Sequence, residues 1–438
     1  MDYVYKLTKK LPIFHEKSQK MQYKKSDENS LKYRKEGNEL FIRKKDNFKA
    51  LQLYTKSIAY AENNGENLSI AYANRSAEKL LHRQQKAKSL ESSQKIYSYH
   101  DSIPTIKNKN PLIDAASDSV EIGKNEKWGR YVMATKDIKP GDIICVEKPY
   151  AQEVAVTSKY LHCHECLELC YNMIPCENCT EVLYCSENCR EQANKTYHKY
   201  ECILFQLGLR EQRLFLRVAL NGMSEYKNMK VDLMNDEGGI YRSGRYKEIY
   251  ELLTHKTDRA PYYVFQDTLE AVVFYHYLKN FTDILKETDI DNKEQVLKEL
   301  LLHHTLSMHC NATCIEKPKQ IDFGQTDVSF NTTSKVQRQY ELQIHYHFTC
   351  ECEACVKDWP TGEYLRAGKH IPKSFMEKML KLYKQEIIDK STVDKLLNDA
   401  FDIASSMKGL PIPSRNYNYI NGIICDLFIF QGNRLLDF

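Results

Sequence analysis

The chain has 438 residues and a formal net charge of +4, with 42% hydrophobic and 28% charged residues. This length suits about two to four domains, and the composition excludes wholesale disorder and gives no reason to expect nucleic-acid binding. No stretch approaches the ~20 apolar residues that span a bilayer, and the first residues lack the apolar core of a secretory signal. We therefore expect a cytoplasmic and nuclear protein whose 15 cysteines do not form disulfides, and the clustering of the cysteines indicates metal binding.

The first 160 residues alternate between helical and extended patterns. Residues 1–29 are rich in lysine and are expected to be poorly ordered, either as a solvated basic face or as a contact for an acidic partner. Helical periodicity follows from Ser30 to about Ala61, with a break at 44–47, and again from Ser69 to about Ser89. Aperiodic residues 91–118 resemble a linker. Alternating apolar residues then predict short strands on both sides of a turn at Pro140–Gly141.

A block of cysteines follows the predicted strands. Its spacing is C-x2-C, C-x2-C, C-x3-C and H-x3-C, and eight ligands in four pairs satisfy two tetrahedral zinc ions. A C-x2-C knuckle turns both thiolates toward one ion, and the last two spacings predict ligands one turn apart on one helix face. Unmetallated cysteines rarely give four consecutive pairs. The predicted ligands are Cys163, Cys166, Cys176, Cys179, Cys185, Cys189, His198 and Cys202.

Helical patterns dominate the rest of the chain. Residues 203–310 are predicted to be mostly helical, a short strand region precedes a second cysteine cluster at 350–355, and the last 80 residues are predicted to be helices with a break at Gly409–Pro413.

The cysteine block, with Tyr184 before Cys185 and the tail YHKYEC, resembles a MYND finger. The resemblance implies interleaved sites, with Cys163, Cys166, Cys185 and Cys189 on one zinc and the other four ligands on the second. Cys170, His162 and His164 are neighbours in this interpretation. Asn194 stands where many family members have tryptophan, which weakens the small apolar core of the finger. Because all eight positions are filled, the zinc ions are expected to be structural. MYND fingers usually bind proline-containing peptides, so the resemblance implies a peptide partner.

Segments on both sides of the finger resemble the SET-and-MYND family of protein-lysine methyltransferases. KWGRYVMATKDIKPGDIICVEKP resembles the start of the SET fold, HHTLSMHCNATCI the segment whose asparagine touches S-adenosylmethionine, and HYHFTCECEACVKDW the post-SET region. A plain hairpin turn, a helix-capping asparagine and a buried aromatic core are the respective alternatives. The resemblance implies cofactor contacts at Lys127, Trp128, Gly129, Arg130, Asn311, Tyr346 and Phe348, and a third zinc on Cys350, Cys352 and Cys355.

The segment between Asn311 and Cys350 departs from the family pattern. The Asn-His-Ser-Cys motif is absent from the chain, and Phe323–Gly324 stands where the family has its catalytic tyrosine and glycine. Cys314 is a candidate replacement for the fourth ligand of the third zinc. The family aligns a neutral amine with the methyl group by backbone carbonyls and the tyrosine hydroxyl. Since phenylalanine cannot make that hydrogen bond, we expect this chain to be weakly active or inactive.

The helices near the start resemble a tetratricopeptide repeat. Gly37 and Ala50 occupy its close-packing positions, and Phe41, Tyr54 and Ile58 its buried face. Some tetratricopeptide domains clamp the carboxylate at a chaperone's C-terminus. The alternative is an ordinary basic helical face. The residues that match the clamp positions are Arg34, Asn38, Asn74, Lys79 and Arg83.

Together these patterns predict an α+β protein: a small β-rich SET fold interrupted by a MYND zinc module, with N-terminal tetratricopeptide-like helices and a helical C-terminal region. The expected activity is methyl transfer from S-adenosylmethionine to a lysine of a histone or other protein. The alternative is a non-catalytic zinc-dependent scaffold, and a metal-dependent hydrolase is disfavoured because both finger sites are coordinatively closed. The predicted boundaries are 1–29 tail, 30–90 repeat, 91–118 linker, 119–160 SET start, 161–205 finger, 206–315 helical insert, 316–358 SET end and post-SET cluster, and 359–438 C-terminal helices.

Overall fold

The computed structural model describes residues 1–8, 24–43, 46–77, 105–126, 129–206, 214–234, 240–312, 332–366, 370–384, 390–409 and 413–432. Across these ranges the chain is mainly helical, with two small sheets. None of the described helices combines the length and the apolar character that a bilayer crossing requires.

Four helices belong to the N-terminal part. α1 (Asp2–Thr8) lies within the predicted poorly ordered tail, and the prediction is wrong there, because the Tyr5 ring packs edge-on against Tyr275 at 5.4 Å. α2 (Asp27–Ile42) and α3 (Asn47–Tyr60) form an antiparallel pair, and residues 66–77 form α4. A Cβ atom on Gly37 of α2 would lie 2.8 Å from the Tyr54 ring of α3, so this close approach requires glycine.

A two-stranded antiparallel sheet follows. β1 (Val120–Asn125) pairs with β2 (Gly129–Ala134), with Val120 opposite Ala134. The prediction of strands on both sides of Pro140–Gly141 is wrong for the downstream side. There, residues 144–146 make only two backbone hydrogen bonds and one isolated bridge to residues 115–117. Alternating apolar residues favour an extended chain, but a ladder also needs a neighbouring strand with the right register.

The finger and the helices after it share one core. Apolar residues of the finger, such as Tyr184 and Phe205, are buried in the same cluster as Leu216 and Leu297 of the long helices. The finger is therefore packed into the body of the protein. Its elements and the following helices are β3 (Ile174–Pro175), β4 (Leu183–Tyr184), α5 (Glu187–Ala193), a π-helical turn (Asn194–His198), α6 (Lys199–Gln206), α7 (Leu214–Met234), α8 (Tyr246–Tyr250), α9 (Pro261–Phe281), α10 (Ile284–Glu287) and α11 (Lys293–Asn311).

The C-terminal part has a separate apolar core. Where a short strand region was predicted before the second cysteine cluster, the structure instead has α12 (Lys335–Tyr346), which begins after the N-cap Ser334 and ends at His347 with a left-handed backbone. α13 (Glu353–Val356) carries Cys355. The last three helices pack together through residues such as Met379 and Leu427; they are α14 (Lys373–Tyr383), α15 (Lys390–Ser406) and α16 (Arg415–Gly432).

Candidate zinc centres and cofactor site

The first group of finger ligands lies at the ends of local turns. The C-x2-C knuckle at Cys163 and Cys166 closes with a hydrogen bond from the Leu167 amide to the Cys163 carbonyl, and Leu167 has a positive φ of 59°. Cys185 follows β4 directly, and its Sγ lies 3.6 Å from that of Cys166 and 3.5 Å from that of Cys189. Tetrahedral zinc with Zn–S bonds of about 2.3 Å requires sulfur atoms about 3.8 Å apart. These four thiols therefore have the spacing of one zinc site.

The second group is completely buried and has the same geometry. Cys176 and Cys202 have Sγ atoms 3.8 Å apart, and Nε2 of His198 lies 3.2 Å from the sulfur of Cys176 and 3.9 Å from that of Cys179. In each group the four ligand atoms lie within 4.8 Å of one another. The two groups interleave along the chain in the manner that the MYND resemblance implies.

The local explanation for the third ligand pair was wrong. Cys185 and Cys189 do not share a helix face, since Cys185 precedes the helix and Ser186 is its N-cap, with a side chain that accepts a hydrogen bond from the Cys189 amide. The cap itself holds the two sulfurs together. The fourth pair does lie on consecutive helical turns, because His198 ends the π-helical turn and Cys202 is in α6.

The neighbouring donors do not belong to either group. His162 and His164 direct their Nδ1 atoms to the carbonyl oxygens of Leu167 and Leu183, at 2.9 and 3.2 Å. The Cys170 sulfur accepts a hydrogen bond from the amide of Asn172. These contacts agree with their interpretation as neighbours of the ligands.

Hydrogen bonding within the finger favours thiolate at its first ligand. The side chain of Cys166 hydrogen-bonds to Cys163 and lowers the pKa of the Cys163 thiol to about 5, against an ordinary value of 9.0. Burial raises the pKa of Cys189 to about 11. A bound dication would stabilise all four thiolates, so metal binding should release protons.

A third cysteine group lies near α13. The sulfur atoms of Cys350, Cys352 and Cys355 lie within 4.8 Å of one another, and Cys355 is buried. Gln339 of α12 holds this loop in place, because its side chain donates a hydrogen bond to the Cys350 carbonyl and accepts one from the Cys350 amide. Three thiolates suit a zinc ion that takes a fourth ligand from elsewhere. Cys314, the candidate fourth ligand, lies outside the described residues.

Two of the predicted cofactor contacts meet at Leu253. Gly129 has a φ of +64°, and a Cβ atom there would lie 2.9 Å from the Leu253 side chain. Asn311, the last residue of α11, donates from Nδ2 to the Leu253 carbonyl at 3.1 Å and to the Ser307 carbonyl at 2.7 Å. Among the described residues no donor reaches Oδ1 of Asn311. The close approach of the Leu253 side chain requires glycine at position 129, and the remaining carboxamide oxygen of Asn311 can accept a hydrogen bond from a polar ligand.

Arg130 lies in the same region but has protein partners. Its guanidinium donates to the Glu248 carbonyl at 2.6 Å and lies 3.9 Å from the carboxylates of both Glu248 and Glu251. Arg130 therefore links β2 to α8 and its C-cap Glu251, which precede Leu253. Lys127 and Trp128 lie outside the described residues.

The two aromatic residues among the predicted cofactor contacts lie close by. Tyr346 ends α12 and Phe348 follows two residues later, and both are half-buried. The Cys310 thiol, next to Asn311, lies 3.8 Å from the His345 carbonyl, so the end of α11 touches the end of α12. Phe323, the residue at the predicted catalytic position, lies outside the described residues.

Three of the predicted clamp residues form one polar face of the N-terminal helices. Oδ1 of Asn38 accepts hydrogen bonds from the Tyr54 hydroxyl and from Nδ2 of Asn74, both at 2.9 Å. Arg34 lies one turn before Asn38, and its buried Nη1 has no hydrogen-bond partner among the described residues. Lys79 and Arg83 lie outside the described residues.

Sequence reasoning missed several residues around these sites. Arg217 and Glu201 form a buried ion pair beside the second zinc group, and Leu253 connects the two cofactor contacts. Arg217 is a lone charge in the apolar run LFLRVAL, which was the available signal, because a charge on a buried helix face needs a partner.

Comparison with known proteins agrees with this geometry. Residues 163–202 match the family model of the MYND finger. Over 70% of the chain the sequence is 23% identical to the protein-lysine N-methyltransferase SMYD4 of Danio rerio, and over 64% it is 24% identical to that of Gallus gallus. A SET and MYND domain-containing protein of Dictyostelium discoideum is 32% identical over 20% of the chain and 22% of its own length. Over these matched stretches the chain is similar to SET- and MYND-domain proteins. Its matches span 51% and 48% of the two SMYD4 sequences, so the chain covers about half of these relatives.

Proposed function

We propose that the chain acts as a protein-lysine methyltransferase that takes its methyl group from S-adenosylmethionine. The observation that carries the proposal is that Gly129 and Asn311 both contact Leu253. The cysteines of the third group follow α12, whose end contacts the end of α11. Relatives named as protein-lysine N-methyltransferases support the reaction class. Thiolate zinc sites also suit the cytoplasm and nucleus, where thiols stay reduced.

In this proposal the protein binds and positions the reactants. Oδ1 of Asn311 would accept a hydrogen bond from the cofactor, and Gly129 would let Leu253 pack against the β2 backbone beside it. S-adenosylmethionine, when bound, supplies an activated methyl group. Arg130 contacts Glu248 of α8 and so keeps β2 in place beside the segment that carries Leu253. Because Phe323 lacks a hydroxyl, we expect slow transfer, and Phe323→Tyr should accelerate it.

Isothermal titration with S-adenosylmethionine tests the binding step on the zinc-loaded chain. We expect heat of binding that is lost in Asn311→Ala, while Gln295→Ala, at an exposed position near the start of the same helix, behaves like the unchanged chain. Methyl transfer to histone and other protein substrates is then followed with labelled cofactor. No binding heat in the unchanged chain would exclude the proposal.

A non-catalytic scaffold is the second candidate. It is favoured by the filled ligand set of the finger and by its contact with the N-terminal helices, where Asn63 donates to the Glu177 carbonyl at 2.8 Å and Arg75 to the Met173 carbonyl at 3.1 Å. Such a scaffold would bind proline-containing peptides through the finger. Methyl transfer that disappears in Asn311→Ala would eliminate a purely non-catalytic role.

The polar face at Arg34 would give the scaffold a second partner, a peptide C-terminus of the chaperone type. Its support is the buried Nη1 of Arg34, one turn before Asn38, because a buried N–H that has no acceptor among the described residues favours an anionic acceptor. A peptide with a free C-terminal carboxylate should bind more tightly than its amidated form, and Arg34→Ala should abolish the difference. Equal binding of both peptides would exclude the clamp. The same assay tests Lys79→Ala and Arg83→Ala.

A further inference from the structure

The second zinc group has an unusual neighbour on its protein side. His198 directs Nε2 at the sulfurs, so its Nδ1 must carry the proton of the neutral ring once a metal binds. That Nδ1 is completely buried and has no hydrogen-bond partner among the described residues. A buried donor without an acceptor costs about 1–3 kcal/mol, so an acceptor is needed.

Glu201 is the group that can serve as this acceptor. Its carboxylate is fully buried one turn further along the chain, with Oε2 4.0 Å from Nδ1 of His198. This distance exceeds a hydrogen bond, and a small rotation of either side chain closes it. Metal-bound imidazoles commonly donate their second N–H to a carboxylate, which fixes the ring and strengthens it as a ligand.

A residue outside the finger keeps this carboxylate in place. Arg217 of α7, only 2% exposed, donates from Nε and Nη2 to the two oxygens of Glu201 at 2.8 and 3.2 Å. Its Nη1 also donates to the Gln152 carbonyl, and the Tyr197 ring lies 4.2 Å from the guanidinium carbon. The fork geometry of arginine holds a carboxylate in one orientation.

The same arginine also reaches the first zinc group. Its Nη1 lies 3.5 Å from the carbonyl of His164, inside the Cys163–Cys166 knuckle, and the Tyr197 hydroxyl donates to that carbonyl at 3.1 Å. The contact with Glu201 is shorter and carries full charge, so its effect on the second group should be the larger one.

We propose that Glu201 and Arg217 are positioning residues for the second zinc site: Glu201 accepts the Nδ1–H of zinc-bound His198, and Arg217 orients Glu201 for this. The finger would then bind zinc most tightly at this site when α7 is packed against it. The inference rests on zinc binding and not on methyl transfer. It assigns a metal-binding role to α7, which lies beyond residues 163–202 of the matched finger.

Cadmium exchanged into the full chain can test the proposal. Cadmium NMR distinguishes a four-sulfur site from a three-sulfur, one-nitrogen site, and a chelator then removes the metal. In Glu201→Gln we expect about a 10- to 100-fold loss of affinity at the three-sulfur site, with the four-sulfur signal retained as an internal measure of folding. Arg217→Lys should weaken the same site less, because lysine keeps the charge without the fork.

Glu177→Gln is the matched control. Glu177 is next to Cys176 of the same site, but its carboxylate is 64% exposed and pairs with Arg190 at the surface. The control should retain metal like the unchanged chain. If Glu201→Gln retains cadmium as well as Glu177→Gln does, or if both finger sites weaken equally, the ion pair is merely structural and the proposal is wrong.

Discussion

Gly222→Ala should strongly destabilise the helical core, because α7 packs there directly against a tyrosine. A Cβ atom on Gly222 would lie 2.8 Å from Cε2 of Tyr246, and closer still to Cζ and Oη. Carbon atoms in good contact are about 3.5–4.0 Å apart, so the ring must retreat by roughly 1 Å. Tyr246 is fully buried, and its hydroxyl makes a 2.7 Å hydrogen bond to Nε2 of His304, which such a movement would break.

The size of the effect follows from these contacts. Overpacking a dense core costs about 1–3 kcal/mol, and a buried polar group left without its partner costs a further 1–3 kcal/mol or so. Replacing glycine by alanine within a helix stabilises that helix by about 1 kcal/mol. The net expectation is a loss of about 3 kcal/mol in the free energy of unfolding of the α7 region.

Hydrogen exchange resolved by segment is the appropriate assay, because the chain has separate apolar cores. Gly422→Ala is the control: Gly422 also lies within a helix, and a Cβ there meets nothing within 4 Å, so protection of α16 should stay or rise. In a Tyr246→Leu background the Gly222→Ala substitution should cost little. Undiminished protection of α7 in Gly222→Ala would refute the packing argument.

Three further predictions concern metal and pH. Cys185→Ser should abolish zinc binding at the first finger site and unfold the finger, measured as zinc content and circular dichroism. Cys352→Ser should remove only metal held by the post-SET group, with both finger sites unchanged by elemental analysis. Burial, and secondarily the neighbouring His303, lowers the pKa of His304 well below 6.5. The unfolded chain therefore binds a proton first, and stability should fall as pH drops below about 6.5. His304→Gln should flatten this dependence in chemical denaturation, and parallel curves for the two proteins would contradict it.

The zinc groups could be read from the sequence because their geometry is local. A knuckle such as Cys163-x2-Cys166 brings two sulfurs together through one turn, whatever the rest of the fold does. The interleaving is not local, and it came from the family resemblance alone. The helix pair α2 and α3 was similarly accessible from its helical periodicity, and the structure adds Ser26 and Asp46 as the N-caps of the two helices.

The errors have a common physical origin in partners distant along the chain. Residues 142–146 have the alternation of a strand, but in the described structure only residues 115–117 pair with part of this segment. A short strand region was expected before the second cysteine cluster, yet Ser334 caps a helix there, and the helix buries Arg338 and Leu342. Sheet formation depends on a matching neighbour, whereas a capped helix satisfies its own backbone.

The buried charges explain why the finger cannot be treated as an independent unit. Glu201 and Arg217 are both almost completely removed from solvent, and breaking such a pair leaves an uncompensated charge at a cost of about 3–5 kcal/mol. A finger isolated at residues 163–202 would expose or orphan Glu201 next to its last ligand, Cys202. Loss of packing at α7 would therefore weaken metal binding at the second zinc group, and loss of zinc would destabilise the packing of α7. Because α7 also packs against α11, which ends at Asn311, the same helices connect the finger to the proposed cofactor contact at Asn311.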